Sequence, residues 1–261
     1  MSAKQDLLYE IREHIAYVTF NRPAVRNALT FGMYERLAES CREIDSDRGV
    51  RAMVLTGAGD KAFTSGTDIS EFTSLATPQD ALNYAGRVDK VIDAIERCRV
   101  PTIAAIAGAC MGSGVTIAAA CDIRIAAPNA RFGIRVAETL GLCMSLANHA
   151  RLAVVIGPAR VKDMIFRARV VEAPEALSIG MVTEVTIDIG GLLPRAASVA
   201  YLVASHAPLT LQATKETLRR LGGDRAMADD RDLILKCYMS RDFREGVDAF
   251  LSKRTPQWRG E

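Results

Sequence analysis

Residues 100–121 form a stretch of 22 positions without a charged side chain, which constrains the fold more than any other part of the sequence. Its length is enough to cross a bilayer. However, it opens with Val100-Pro101, contains three glycines, and lacks both leucine and phenylalanine. Because alanine and glycine gain little from transfer into lipid, the stretch favours a buried strand at 102–107, then a turn and a buried helix at 115–121.

Strand and helix patterns alternate through the first half of the chain, which indicates an α/β fold with buried strands. Strands are predicted at 15–20, 52–56, 102–107 and 123–126, and helices after the N-cap Thr30 and at 79–98. The second half is predicted to be mostly helical, at 144–157, 159–168, 173–179, 190–205, 208–221 and 225–251, with a short strand at 181–185. We therefore divide the chain into an α/β core at 1–190 and a helical C-terminal region at 191–261.

The overall composition is that of an ordinary soluble globular protein. The 261 residues are 49% hydrophobic and 25% charged, with a net charge of +2, so nothing suggests a nucleic-acid binder. The first residues lack the apolar segment of a secretory signal. Six cysteines at irregular spacing are interpreted as buried thiols in a reducing compartment, and we expect a cytoplasmic protein. The three histidines lack metal-ligand spacing, so no metal site is expected.

Two loops that follow buried strands are candidates for binding an oxygen atom that gains negative charge. One is the turn at 108–114, where three glycines lead into a helix whose first N–H groups are unpaired. The other is the loop at 61–69. The glycine turn contains neither of the nucleotide-binding motifs GxGxxG and P-loop, and it lacks the GxSxG motif of a nucleophilic serine. The alternative is that the glycines only permit close packing of helix on sheet.

The chain resembles the crotonase (enoyl-CoA hydratase/isomerase) superfamily from about Tyr9 to Trp258. The motifs that carry the resemblance are Asn21-Arg22-Pro23, Asn27-Ala28-Leu29, Leu55-Thr56-Gly57, Lys61-Ala62-Phe63, Gly66-Thr67-Asp68-Ile69, Pro101-Thr102-Ile103-Ala104-Ala105, Gly108 with Gly112 and Gly114, Cys121-Asp122-Ile123-Arg124, Ala130-Arg131-Phe132-Gly133, Arg244-Glu245-Gly246, Ala249-Phe250 and Lys253-Arg254. Each motif is weak alone, but together they occur in the order and at the spacing typical of the family.

The resemblance implies a spiral of ββα units with a helical C-terminal region, assembled as a homotrimer or a dimer of trimers. The substrate would be an acyl-coenzyme A thioester, with no metal or redox cofactor and with coenzyme A only as part of the substrate. The main-chain N–H groups of Thr67 and Ser113 would hold the thioester oxygen and stabilise an enolate. The other implied contacts to the substrate or coenzyme A come from Val25, Arg26, Ser65, Asp68, Ile69, Phe250 and Lys253. Asp68 and Asp122 are interpreted as mainly structural.

The sequence departs from the family where hydratases carry two glutamates. Thr116 occupies the first position, and an ungapped count places Val136 at the second. A short shift of this alignment places Glu138 at the second position instead, and we predict Glu138 to be the catalytic carboxylate. A proton donor there requires a raised pKa, and the nearby Arg135 opposes that shift. The alternative is that Glu138 is a solvent-facing loop residue.

Four hypotheses remain after this departure. The leading one is hydration of a 2-enoyl-CoA by Glu138, with Thr116 orienting the water. The second is double-bond isomerisation, for which a single carboxylate suffices. The third is thioester hydrolysis or decarboxylation, and the fourth is a non-catalytic acyl-CoA-binding protein. The segment 72–84 is predicted to help form the acyl pocket.

Overall fold

The computed structural model describes residues 3–74, 76–221 and 239–261. Its strands are β1 (Leu7–Arg12), β2 (Ile15–Phe20), β3 (Ala52–Gly57), β4 (Ala62–Thr64), β5 (Thr102–Ile106), β6 (Ala109–Met111), β7 (Ile123–Ala126), β8 (Arg131–Gly133), β9 (Val170–Glu172) and β10 (Glu184–Val185). A six-stranded sheet has the order β1-β2-β3-β5-β7-β10 and a four-stranded sheet the order β4-β6-β8-β9. The pairs β1–β2 and β8–β9 are antiparallel, and the other pairs are parallel.

The described helices are α1 (Ala3–Asp6), α2 (Phe31–Ser46), α3 (Pro78–Arg97), α4 (Ser113–Ala120), α5 (Val136–Thr139), α6 (Leu146–Ile156), α7 (Pro158–Phe166), α8 (Ala173–Ser178), α9 (Leu192–Ala204), α10 (Pro208–Leu221) and α11 (Arg241–Leu251). Thr30 is the N-cap of α2, as predicted, because its hydroxyl accepts from the N–H of Met33. The helix predicted over 225–251 lies outside the described residues as far as residue 238.

From β3 to β8, successive strands alternate between the two sheets, and this alternation generates a spiral of ββα units. β3 and β4 precede α3, β5 and β6 precede α4, and β7 and β8 precede α5. The predicted α/β fold class is therefore confirmed. The strands of the smaller sheet were not predicted individually from the residues, and each has three residues.

Both faces of the larger sheet are buried at its central strands β2, β3 and β5, because alternate residues of these strands enter different cores. Met53 and Leu55 of β3 face the main core, in which α2, α3 and α4 pack. Ala52 and Val54 face a second core, which α9 covers with Leu192, Ala196 and Ala200. The first helix of the predicted C-terminal region thus packs directly on the α/β core, and the division at residue 190 stays a prediction.

The carboxylate of Asp122 connects β5 to α10 through hydrogen bonds. Asp122 accepts from the N–H and the hydroxyl of buried Thr102, at 2.8 and 2.9 Å. Lys215 of α10 donates to the same carboxylate at 2.7 Å and also approaches two main-chain carbonyls. These contacts give Asp122 the structural role that the sequence predicts.

The C-terminal segment folds back onto α11. Asp242 accepts from the N–H groups of Arg259 and Gly260. The ring of Trp258 lies so close to Gly246 that a Cβ atom there would be 3.0 Å from its Cη2 atom. The main-chain carbonyl of Trp258 accepts from Arg51, the residue before β3. The segment is therefore anchored at the amino-terminal end of that strand.

Two predictions about the class of protein can be compared with the described residues. No helix among them combines the length and hydropathy needed to cross a membrane, and residues 102–120 form β5, β6 and α4 instead.

Of the described cysteines, four are buried, but Cys143 is exposed. The prediction that all cysteines are buried is therefore wrong for Cys143, which lies between α5 and α6.

Candidate active site

The two loops singled out in the sequence meet where β4 and β6 end. These strands are parallel neighbours, so their carboxyl ends lie at one edge of the smaller sheet. Gly66 and Gly112 follow them with φ angles of +96° and +53°, a region that favours glycine. A Cβ atom on Gly66 would lie 3.1 Å from the carbonyl oxygen of Met111 and 3.7 Å from the Cα atom of Gly112. The two backbones are thus in contact, and the next residues, Thr67 and Ser113, are brought together.

Among the residues that the structure describes, none accepts a hydrogen bond from the main-chain N–H of Thr67 or of Ser113, so both groups are open to a ligand. Leu29 pairs with Thr67 in a parallel bridge, donating to Gly66 and accepting from Asp68. In such a bridge the central residue's own N–H points to the opposite side. Ser113 is the first residue of α4, so no helical carbonyl precedes its N–H by one turn. Two main-chain donors from different loops therefore face the same edge.

Four hydroxyl groups form a hydrogen-bonded chain beside these donors. The phenol of Tyr34, on α2, donates to the Ser113 hydroxyl at 2.7 Å and lies 2.8 Å from the Thr67 hydroxyl. Thr67 in turn lies 3.0 Å from the phenol of Tyr84, on α3. Burial raises the pKa of both Tyr34 and Tyr84, so both phenols stay protonated near neutral pH.

Aromatic side chains cover the outer end of this chain. The Tyr84 ring lies 5.0 Å from that of Phe72 and 5.9 Å from that of Phe31, between ring centroids. Arg87 stacks over Phe31 at 4.4 Å. The segment 72–84, predicted to help form the acyl pocket, thus ends in an aromatic cluster beside Thr67.

The predicted coenzyme A contacts from the first half of the chain lie on one ridge. The N–H of Ser65 donates to the carbonyl of Arg26 at 2.9 Å, so the segments around residues 26 and 65 run side by side. Val25 and Ile69 are 47% and 63% exposed, although both are apolar. Arg26 is exposed and has a φ angle of +54°. The ridge offers apolar surface with a cation next to it, and contacts of these residues with coenzyme A stay predictions.

Asp68 is engaged by its own neighbours. Arg22 donates to its carboxylate at 2.9 Å, and the Ser70 hydroxyl donates at 2.8 Å. The hydrogen bond from Arg22 lowers the pKa of Asp68, followed by that from Ser70. These contacts hold the loop after β4, while a contact of Asp68 with coenzyme A stays a prediction.

The contacts predicted from the C-terminal tail involve Phe250 and Lys253. Lys253 is exposed, directly after α11, and the nearby Trp258 is anchored at the amino-terminal end of β3. Thr67 and Ser113 lie beyond the carboxyl ends of strands. The side chain of Phe250 falls outside the described residues. Contacts from Lys253 and Phe250 therefore stay predictions.

Glu138 and Thr116, which are predicted to activate and to orient the water, differ in burial and in hydrogen bonding. Thr116 is buried one turn into α4, and its hydroxyl donates to the Ser113 carbonyl at 2.9 Å. Glu138 lies on α5, half exposed, and accepts from Arg135 at 2.8 Å. This hydrogen bond lowers the pKa of Glu138, which is the opposite of the direction that a proton donor requires. Its role as the catalytic carboxylate stays a prediction.

Sequence reasoning missed Tyr34 and included Tyr84 only as the end of the segment 72–84. Tyr34 follows Met33 on the buried side of α2, and periodicity alone treats it as another core residue. A signal was available, because a buried phenol requires a hydrogen-bond partner.

No group of three metal-ligating side chains lies together within residues 3–74, 76–221 and 239–261, and the expectation that no metal is needed stays a prediction.

Comparisons with known proteins agree with this fold and identify the family. Residues 10–261 match the family model for enoyl-CoA hydratase/isomerase. A short-chain-enoyl-CoA hydratase of Clostridium acetobutylicum is 34% identical over 252 residues, 95% of each chain. A mitochondrial Delta(3,5)-Delta(2,4)-dienoyl-CoA isomerase of Mus musculus is 34% identical, over 93% of this chain and 78% of its own. The crystal structure of an enoyl-CoA hydratase/carnithine racemase from Magnetospirillum magneticum has a TM-score of 0.91 at 33% identity, covering 98% and 96%. The chain belongs to the enoyl-CoA hydratase/isomerase family.

Proposed function

We propose that this protein binds an acyl-CoA thioester with its carbonyl oxygen between the N–H groups of Thr67 and Ser113. The contact between Gly66 and Gly112 carries the proposal, because it brings the two donors to one edge. A thioester α-proton is weakly acidic, and fixed donors lower the free energy of the enolate that its removal or a conjugate addition produces. One such donor is worth about 2.7–4 kcal/mol in the transition state.

The reaction we propose is hydration of a 2-enoyl-CoA. Water supplies both the hydroxyl and the proton that are added. Its oxygen bonds to Cβ while Glu138 takes its proton, and the π electrons move onto the thioester as an enolate. The carboxylic acid of Glu138 then returns the proton to Cα. Pairing with Arg135 keeps Glu138 ionised at the start, which is the state that accepts a proton from water.

Mass spectrometry of the products tests this reaction. A 2-enoyl-CoA incubated with purified protein is expected to gain the mass of one water. Glu138→Gln is expected to abolish turnover while acyl-CoA binding stays near normal. Glu184→Gln is the matched control, because Glu184 also accepts from an arginine, Arg195, on the exposed surface. Unchanged turnover in the Glu138 variant would remove this residue from the mechanism.

Isomerisation of a 3-enoyl-CoA is the second candidate. It is favoured by Thr116, which leaves no carboxylate on α4, because moving a proton from Cα to Cγ needs only one acid–base group. The same assay separates the two reactions. Conversion of the 3-enoyl to the 2-enoyl thioester without a change of mass supports isomerisation. If both thioesters are returned unchanged, hydrolysis, decarboxylation or a binding role takes their place.

We also propose assembly as a homotrimer or a dimer of trimers in the cytoplasm, with a role in fatty acid metabolism. Large apolar side chains exposed on the helical second half support an assembly, among them Leu146, Val154, Phe166 and Ile187. Light scattering after gel filtration measures the mass. A monomer at micromolar concentration would contradict the assembly but leave the proposed reaction untouched.

A further inference from the structure

The four hydroxyls beside the candidate site form a chain with a defined direction. Tyr34 donates its only hydroxyl proton to Ser113. Its contact with Thr67 at 2.8 Å must therefore be one in which Thr67 donates and Tyr34 accepts. Thr67 then has no proton left for its contact with Tyr84, so Tyr84 donates to Thr67 at 3.0 Å. The chain runs from Tyr84 through Thr67 and Tyr34 to Ser113.

One proton remains when the donors and acceptors of this chain are counted. Four hydroxyls carry four protons, and the three hydrogen bonds use three of them. The remaining proton belongs to Ser113, and no protein acceptor for it occurs in the described part of the chain. Ser113 is also the residue whose main-chain N–H begins α4. The free O–H and the free N–H are therefore on the same residue.

We propose that the Ser113 hydroxyl is a third donor to the thioester oxygen, and that Tyr34 is the positioning residue that fixes and polarises it. This inference rests on the proposed acyl-CoA site but not on the reaction that occurs there. Tyr34 is buried and also contacts Thr67, so one phenol holds the side chains of both loops. A donor that itself accepts a hydrogen bond is strengthened by cooperativity.

Acetoacetyl-CoA is a suitable probe, because the enolate of a 1,3-dicarbonyl absorbs in the near ultraviolet and forms without turnover. Titrating the bound thioester against pH gives the apparent pKa of enolisation on the protein. Ser113→Ala keeps the main-chain N–H but removes the hydroxyl. A hydrogen bond to a charged oxygen is worth enough that Ser113→Ala should weaken enolate binding about tenfold or more, which raises that apparent pKa by about one unit.

Tyr34→Phe is expected to shift the same value in the same direction by less, because Ser113 remains but loses its donor. The double variant is expected to behave as Ser113→Ala alone, since Tyr34 acts through Ser113. Tyr9→Phe is the control for loss of a phenol, because Tyr9 lies on β1 at the edge of the other sheet. Thermal unfolding of each variant tests whether it folds, and Ser113→Ala changes only a partly exposed residue.

The outcomes separate this inference from the proposed function. Unchanged enolisation in Ser113→Ala, or additive shifts in the double variant, would overturn the inference. Enolate stabilisation that depends on Ser113, in a protein that neither hydrates nor isomerises an enoyl-CoA, would support the inference and contradict the proposed reaction. Failure of the wild-type protein to bind acetoacetyl-CoA would overturn both.

Discussion

Replacing Gly66 by alanine tests whether the contact between the two loops sets the activity. Gly66 has a φ angle of +96°, and a Cβ atom there would lie 3.1 Å from the carbonyl oxygen of Met111. The carbonyl oxygen belongs to the main chain and the Cβ atom is bonded to it, so neither can turn away as a flexible side chain would. One of the two loops must therefore move by a few tenths of an ångström. The N–H groups of Thr67 and Ser113 then separate, since each directly follows a glycine of this contact.

Two effects of different size are expected from this change. The left-handed backbone costs a residue with a Cβ atom about 1–2 kcal/mol of folding free energy. Misplacing one oxyanion donor costs about 2.7–4 kcal/mol in the transition state, or about a hundredfold to a thousandfold in turnover. Ground-state binding of acyl-CoA is expected to change little, because the donors act mainly on the developing charge.

Gly180→Ala is the matched control. Gly180 has a φ angle of +77°, but the nearest atom to its added Cβ is 3.8 Å away, so the variant is strained without displacing a neighbour. Urea unfolding and steady-state kinetics on the same enoyl-CoA are compared for both variants. We expect similar losses of stability and a loss of turnover in Gly66→Ala alone. Turnover within threefold of wild type in Gly66→Ala would refute the reasoning. An equal loss of turnover in Gly66→Ala and Gly180→Ala would refute it as well.

Two further predictions concern stability. Asp122→Ala removes the acceptor of the Thr102 N–H and the partner of Lys215, and each buried donor left unsatisfied costs about 1–3 kcal/mol; we expect a loss of about 3 kcal/mol in urea unfolding, with turnover per folded molecule preserved. Wild-type stability in this variant would show that the contacts are not stabilising. A hydrogen bond from Arg219 lowers the pKa of Glu216 to about 2, below its ordinary value in the unfolded chain. Its contribution is present above about pH 4.5 and is lost as the pH falls towards 2, so the difference in Tm between wild type and Glu216→Gln should shrink over that range; a constant difference would contradict this.

The sequence predicts five strands of the larger sheet and its long helices, because their apolar residues are numerous and periodic. It does not predict β1, in which only the first residue, Leu7, is buried. β7 has the predicted bounds, Ile123–Ala126, and the predicted strand at 102–107 differs from β5 by one residue. The smaller sheet escapes such reasoning. Its strands have three residues each, too few to show a period, and they are selected by main-chain pairing with strands that lie far apart in sequence.

The candidate site divides in the same way. The two glycine-containing loops can be found from sequence, because positive φ angles and close backbone approach require glycine. Burial of Tyr34 implies that its phenol has a hydrogen-bond partner, but the sequence does not identify the partners, because Thr67 and Ser113 lie 33 and 79 residues away. For Glu138, the sequence shows an arginine three positions away, and the structure shows that the two side chains pair.

The position of Trp258 has a practical consequence for following the unfolding of this protein. It is the single tryptophan in the sequence, and its ring lies against Gly246 rather than in either core. Tryptophan emission therefore reports the docking of the C-terminal segment on α11, whereas far-ultraviolet circular dichroism reports the helices and sheets of the whole chain. If the two optical signals change at different denaturant concentrations, the tail undocks as a separate step, and a fluorescence midpoint alone would understate the stability of the body of the protein.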